Sequence, residues 1–398
     1  MREAVFVNGV RTAIGRYGGV LKDVPVVDLL QPVLEEVIRV PGFDPSTIED
    51  VIIGQCYQNG EATNVARYGA LRAGYPETVP GFTVDRRCAS GLVSIIDGAM
   101  MIQTGNADVI VAGGVESMSQ AEYYVPGPVR WGLGRGNVSF YDRIARGRQT
   151  MSPEERFGMI ESNMVWAENM ARKHGLSRES LDEWALRSHQ SACAAIDKGY
   201  FAEEIVPVKV PQPRGEPQPV VKDQHPRSDT SLEALARLPA PLKGVCTAGN
   251  SSGENDAAAA VLMMSEEMAD KLGLEKWAYF RSWGAAGVDP RYVGDAVPPA
   301  VEKALHRAGV GLKDMDLIEI NEAFAAQICS NLKVLNLGTD PRINVNGSGI
   351  SLGHPVGCTG ARIMVTLLRE MRRRDAHWGL ETMCIGGGQA CAAVIERK

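Results

Sequence analysis

The sequence predicts an α/β protein made of two matching halves, with an irregular unit inserted into the first. Three features carry this expectation. Short β-rich runs alternate with helical stretches of about 10–15 residues, the signature of crossover units around mainly parallel sheets. The same order of elements occurs twice along the chain. And 398 residues are too many for one ordinary hydrophobic core.

In the first half, DLLQPVLEEVIRV (28–40) has helical apolar spacing and leads through a turn to the strand-like DVIIGQC (50–56). FTVDRRCASG (82–91) reads as a strand entering a turn of small residues, LVSIIDGAMMIQTG as a helix and ADVIVAGG (107–114) as a buried strand. The second half repeats the order, with DAVPPAVEKALHRAG (295–309) as helix and DLIEINEAF (316–324) as strand. INVNGSGISLGHPVGCTG (343–360) is then the turn, ARIMVTLLREMRRR the helix and ETMCIGGG (381–388) the strand. Each half is expected to carry its own sheet. Ligands of such sheets bind beyond the carboxyl ends of the strands, where these glycine-rich turns lie.

Between the halves the texture changes. GPVRWGLGRGNVSF (127–140) is irregular, a helical stretch runs from Met159 to Gly199, and VPVKVPQPRGEPQPVVKDQHPR (206–227) is dense with proline, together suggesting a lid. The alanine-rich TAGNSSGENDAAAAVLMM (247–264) is expected to be a helix packing back against the sheets. The boundaries that follow are 1–120 for the first half, completed by 249–269, 121–248 for the insertion and 270–398 for the second half.

Apolar residues make up 44% and charged residues 23%, the balance of a soluble globular chain. With a net charge of −6 there is no broad basic face, which argues against nucleic acid and anionic membrane as partners. No apolar run approaches the roughly 18 residues a membrane span needs, and the N-terminus lacks the marks of a signal or transit peptide. Cytoplasm is the expected compartment. The eight cysteines include no CxxC pair, so neither a metal site nor a disulfide framework is expected.

Some of those thiols have reason to work. Cys88 sits where a strand gives way to a helix, and the positive end of the helix dipole is expected to depress its pKa. Backbone N–H groups of the same turn can donate to an oxyanion. His354 lies in GHPVG, the position equivalent to Cys88 in the other half, so pseudo-symmetry brings a thiol and an activating imidazole together. Cys384 ends a strand in CIGGG, where close backbone approach suits an acid/base thiol. Asn321, in NEAF, ends another second-half strand and is placed to hold a water or polarise a carbonyl. The other six cysteines read as small buried hydrophobes, and Arg372–Arg374 as a solvated helix end.

The chain resembles the thiolases, acyl-CoA:acetyl-CoA C-acyltransferases, over essentially its whole length. The resemblance rests on RTAIGRYGG (11–19), CASG (88–91), GGVESMS (113–119), TAGNSSGENDAAAA (247–260), NEAFAAQ (321–327), NVNGSGISLGHPVGCTGAR (344–362) and CIGGGQ (384–389). It implies a thiolase fold, two pseudo-symmetric βαβ halves in a five-layer α-β-α-β-α arrangement with an inserted loop domain. It further implies that Cys88 carries the acyl group as a thioester, His354 activates it, and Cys384 moves the α-proton of acetyl-CoA. Asn321 would hold an oxyanion-hole water beside His354, and the N–H groups of Cys88 and Gly386 would form a second hole. Ser252 and Ala248 match residues on the pantetheine path, Phe324 a pocket residue, and Arg227 a contact to the CoA nucleotide. Acyl-CoA and CoA are then substrates, no resident cofactor is implied, and a homodimer or homotetramer is expected.

Several positions depart from the family pattern. Where short-chain acetoacetyl enzymes carry a His/Met pair facing the acyl pocket, this chain has Ser162 and Asn163, and bulky Trp166 replaces a small residue. Gln389-Ala390 after the glycines is a further variation. Rival readings fare worse. Gly349-Ile350-Ser351-Leu352-Gly353 fits the GxSxG of serine hydrolases, but no acid followed by a distant histidine comes after it. No GxGxxG opens a helix after the first strand, against dinucleotide binding. The ketoacyl synthases pair their cysteine with histidines or an asparagine, not a second thiol. A non-catalytic acyl-CoA-binding or scaffolding relative is at odds with intact Cys88, His354 and Cys384.

Overall fold

A computed structural model describes residues 2–398 apart from 213. The first half begins with β1 (Ala4–Thr12), α1 (Val26–Val37), β2 (Asp50–Gly54), α2 (Val65–Arg72), β3 (Gly81–Val84), α3 (Ser90–Gln103) and β4 (Val109–Ser117). The following residues hold little regular structure before two helices, α4 (Asn163–His174) and α5 (Arg178–Asp197). Then come β5 (Asn255–Ser265), β6 (Ala278–Gly287), α6 (Val297–Ala308), β7 (Leu317–Ile320), α7 (Ala325–Val334), α8 (Thr359–Arg374), β8 (Trp378–Ile385) and β9 (Gln389–Glu396).

The strand order β7-β8-β9-β6-β1-β5-β4-β2-β3 shows the duplication. In the first half β2 is parallel to β4 and β5 runs antiparallel between β4 and β1. In the second, β7 is parallel to β8 and β9 runs antiparallel between β8 and β6. The two sheets are not separate, as the sequence had implied. Val5 pairs with Tyr279 and Phe6 with Ala278, so a short antiparallel contact between β1 and β6 joins them into one hydrogen-bonded path.

The layers follow from which faces are apolar. Along β5, Ala257, Ala259, Val261 and Met263 face a central core shared with α3 and α8, while Ala258, Ala260, Leu262 and Met264 face the outer core under α1. This period of two corrects the helix expected at 247–264. Alanine favours helix in isolation, but a segment buried on both faces of a sheet pairs along its whole length with β1 and β4, and tertiary context prevails over propensity. On the far side, α6 and α7 cover the second sheet. The result is α1/α2, sheet, α3/α8, sheet, α6/α7, a thiolase fold of five layers.

The two central helices meet almost backbone to backbone. A Cβ on Gly91 would come within 2.8 Å of the Ala361 nitrogen, and one on Gly360 would collide with the backbone of Leu92. This contact sets the Cys88 turn, at the start of α3, beside the His354 turn, which leads into α8. At the far end of α8, Arg372 pairs with Glu275 at 2.7 Å, and Arg373 and Arg374 both pair with Glu370. The cluster is a helix end with local acidic partners. Among the described residues no helix is long and apolar enough to cross a membrane.

Candidate active site

A cavity of about 790 Å³ opens where the two glycine-rich turns meet. Cys88, His354, Cys384 and Gly386 all line it, as do Arg227, Ala248, Ser252, Phe324, Ser162 and Asn163. Asn321 alone of the anticipated residues does not reach the lining. It is fully buried, and both atoms of its side-chain amide lack a protein partner. Just beyond it, the Glu322 carboxylate accepts from Trp184 Nε1 at 3.0 Å, Ser188 Oγ at 2.5 Å and Asn344 Nδ2 at 2.9 Å, fixing the NEAF turn against α5.

His354 is held at its backbone N–H and at Nδ1. Its backbone N–H donates to Asn255 Oδ1 at 2.9 Å, and Asn255 Nδ2 donates in turn to Gly15 O at 2.9 Å. Gly353 must be glycine here, because its φ is +103° and a Cβ would lie 2.5 Å from the Asn255 side chain. Nδ1 lies 2.6 Å from Thr359 Oγ1, whose hydroxyl donates to Pro355 O at 2.8 Å. A hydroxyl has one hydrogen, so it accepts from Nδ1–H, and the lone pair falls on Nε2. That atom is buried and has no protein partner. Burial, with the charges of Arg362 and Arg148, lowers the His354 pKa to about 3, so the ring is neutral and Nε2 is a free base.

Cys88 behaves differently from the expectation drawn from its helix position. Burial pushes its thiol above the ordinary value; the N–H of Gly386, the Arg87 guanidinium and its own N–H pull the other way without reversing the shift. Desolvation of the thiolate outweighs the dipole, so the resting nucleophile is a thiol awaiting a base rather than a preformed thiolate. Burial likewise raises Cys384 well above its usual range, and proximity to Cys88 adds to the effect.

Several residues with clear parts in the site gave no local signal. Glu116, in GGVESMS, is fully buried and accepts from the N–H groups of Cys56 (3.0 Å), Tyr57 (3.2 Å) and Gly357 (2.9 Å). It thereby ties the end of β2 to the His354 turn across the two halves. His189 and His225 line the cavity, both held by burial at about 4. Cys56, first read as inert, lines it too, while Cys193 and Cys329 are only half-buried. Ser351 of the GxSxG match is fully buried, its Oγ 2.8 Å from Ser188 Oγ, and faces no ligand space.

Trp166 closes part of the wall. It meets Phe324 edge to face at a centroid distance of 4.9 Å, and its Nε1 donates to Asn163 Oδ1 at 3.4 Å.

Two family descriptions cover nearly the whole chain: the N-terminal thiolase domain matches residues 4–267 and the C-terminal thiolase domain residues 274–397. The chain belongs to the thiolase family. Among thiolase relatives, an acetyl-CoA acetyltransferase of Pseudomonas aeruginosa is 45% identical over 401 residues, covering 100% of both chains. The crystal structure of the Bacillus anthracis acetyl-CoA acetyltransferase superposes with a TM-score of 0.94 at 43% identity, covering 100% of this chain and 99% of that one. Human mitochondrial 3-ketoacyl-CoA thiolase in complex with CoA gives a TM-score of 0.92 at 38% identity, covering 100% and 98%.

Proposed function

We propose that this thiolase cleaves a 3-ketoacyl-CoA with CoA and, in reverse, condenses an acyl-CoA with acetyl-CoA, through an acyl group carried on Cys88. The observation that carries this reading is the convergence of two protonated thiols and a neutral histidine with a free Nε2 on one cavity. In thiolysis His354 Nε2 takes the Cys88 proton as the sulfur attacks the 3-keto carbon. The bond between C2 and C3 breaks, the acyl fragment stays on Cys88, and Cys384 protonates C2 of the departing acetyl-CoA. An incoming CoA thiol, losing its proton to the Cys384 thiolate, then takes the acyl group from Cys88, whose sulfur regains the proton held on His354 Nε2.

Negative charge develops on a thioester-derived oxygen in each step. The N–H groups of Cys88 and Gly386, which pull the Cys88 pKa down, would serve as donors to an oxygen on the carbon bonded to its sulfur. The unpartnered amide of Asn321 and Nε2 of His354 suit a bridging water that serves the second oxyanion. CoA is a substrate here and no resident cofactor is required; Arg227, Ala248, Ser252 and Phe324 would receive its nucleotide and pantetheine arm. Turnover of 3-ketoacyl-CoAs in cytoplasmic fatty acid metabolism, by a homodimer or homotetramer, completes the proposal.

The decisive experiment is incubation of the purified protein with acetyl-CoA, followed by intact-mass and peptide analysis. One acetyl group on Cys88 is expected. CoA binding without acetylation would instead identify a non-catalytic relative.

A further inference from the structure

The cavity wall beside Cys88 carries two arginines that this reaction does not use. Arg87 precedes the nucleophile with a φ of +50°, in the left-handed region that a side-chain-bearing residue seldom adopts. Arg87 lines the cavity, with Nη1 3.8 Å from Sγ of Cys56, which lines it too, and Nη2 donating to Gly147 O at 3.2 Å. Neither partner is a carboxylate. Asp85 accepts the backbone N–H of Arg87 at 2.7 Å but forms no ion pair with its guanidinium. Arg148, next to Gly147, lines the same wall; it is ion-paired with Glu254, and its Nε is buried without a partner.

Three guanidinium groups, those of Arg87, Arg148 and Arg227, and one carboxylate, that of Glu254, line the cavity; with Arg227 assigned to the CoA nucleotide, Arg87 and Arg148 remain. Arg87 is half-buried and has no anionic partner, and arginine is the side chain best shaped to grip a carboxylate. The CoA phosphates are the other anions brought here, but they lie at the far end of the pantetheine arm from the thioester, whereas Arg87 adjoins the sulfur that takes the acyl group. We propose that the acyl end of this cavity takes a short 3-ketoacyl chain ending in a carboxylate, gripped by Arg87 with Arg148 beside it. This rests on the thiolase reading above and names its substrate class. Thiolysis of such a substrate leaves the carboxylate-bearing fragment on Cys88 as the C2–C3 bond breaks, and acetyl-CoA departs once C2 is protonated. The second CoA then carries the fragment away as a carboxyacyl-CoA.

The test is kcat/KM for thiolysis of three 3-ketoacyl-CoAs of equal chain length, ending in a carboxylate, a carboxamide or a methyl group. The full-length enzyme should favour the carboxylate over both others by on the order of tenfold or more, the discrimination one charge-assisted hydrogen bond supports. Arg87→Gln should bring the carboxylate-to-methyl ratio down to about one, whatever its overall rate. Arg148→Gln, which leaves the Glu254 carboxylate facing the cavity, should lower the same ratio and serves if the first variant does not fold. A wild-type ratio at or below one overturns the proposal, as does a ratio that survives whichever variants fold. Failure to cleave any of the three, with no acetylation of Cys88 by acetyl-CoA, would instead refute the thiolase reading.

Discussion

Thr359 sets the tautomer of His354. By giving its only hydroxyl hydrogen to Pro355 O, it can only accept from Nδ1, which leaves Nε2 as the base. Thr359 touches no reacting atom, and its part is to position the histidine.

Replacing it tests that role. Thr359→Val keeps the shape and removes the acceptor, so the transfer of acetyl from acetyl-CoA to Cys88 should slow by roughly 100-fold, the scale of a misdirected general base. Thr359→Ser should recover most of the rate. Single-turnover acetylation, read by mass, measures both. Equal rates for Val and Ser would mean that the hydroxyl is merely structural.

Cys384→Ala separates the two thiols. The variant should still acetylate Cys88, because that step needs only His354 and the surrounding N–H groups. Exchange of the acetyl-CoA α-protons with deuterated solvent and steady-state thiolysis should both fall by roughly 10²–10⁴-fold. Normal exchange in the variant would show that the α-proton goes elsewhere.

Trp166 should limit the acyl group. It is 3% exposed and packs on Phe324, so Trp166→Ala is expected to cost about 3–5 kcal/mol of stability. In return kcat/KM should rise for longer or branched 3-ketoacyl-CoAs relative to acetoacetyl-CoA. A substrate panel with urea unfolding alongside checks both parts.

The buried histidines fix a pH dependence. Burial lowers His189 and His225 from 6.5 to about 4. Between those values the unfolded chain binds protons that the folded chain does not, so stability falls as pH drops through the window. The slope is up to about 1.4 kcal/mol per pH unit for each histidine. His189→Gln and His225→Gln should each flatten the curve of unfolding free energy against pH by about one proton; parallel curves would contradict the assignment.

What was legible in the sequence was chiefly what glycine and the strand–helix rhythm betray. Cys88, His354 and Cys384 each stand in a turn whose small residues leave backbone exposed, and those turns do meet on one cavity. The alanines of Asn255–Ser265 report helix propensity, while its double burial depends on β1 and on β4, nearly 150 residues earlier. The Cys88 pKa differs from the expectation for a related reason: the dipole is local and readable, the desolvation is tertiary and is not. Thr359 and Glu116 were invisible because a threonine and a glutamate acquire their parts only from what the fold sets beside them.

The close approach of α3 and α8 through Gly91 and Gly360 bears on how the molecule comes apart. Where helices touch through backbone, neither can loosen without losing contact along its length, and each begins at one of the reacting turns. The amides following Cys88 and His354 should therefore exchange with solvent deuterium only on global opening, at one common rate, while those of the glycine-rich 127–140 segment exchange by local fluctuation. Catalytic competence in this protein would then be lost all at once rather than by degrees.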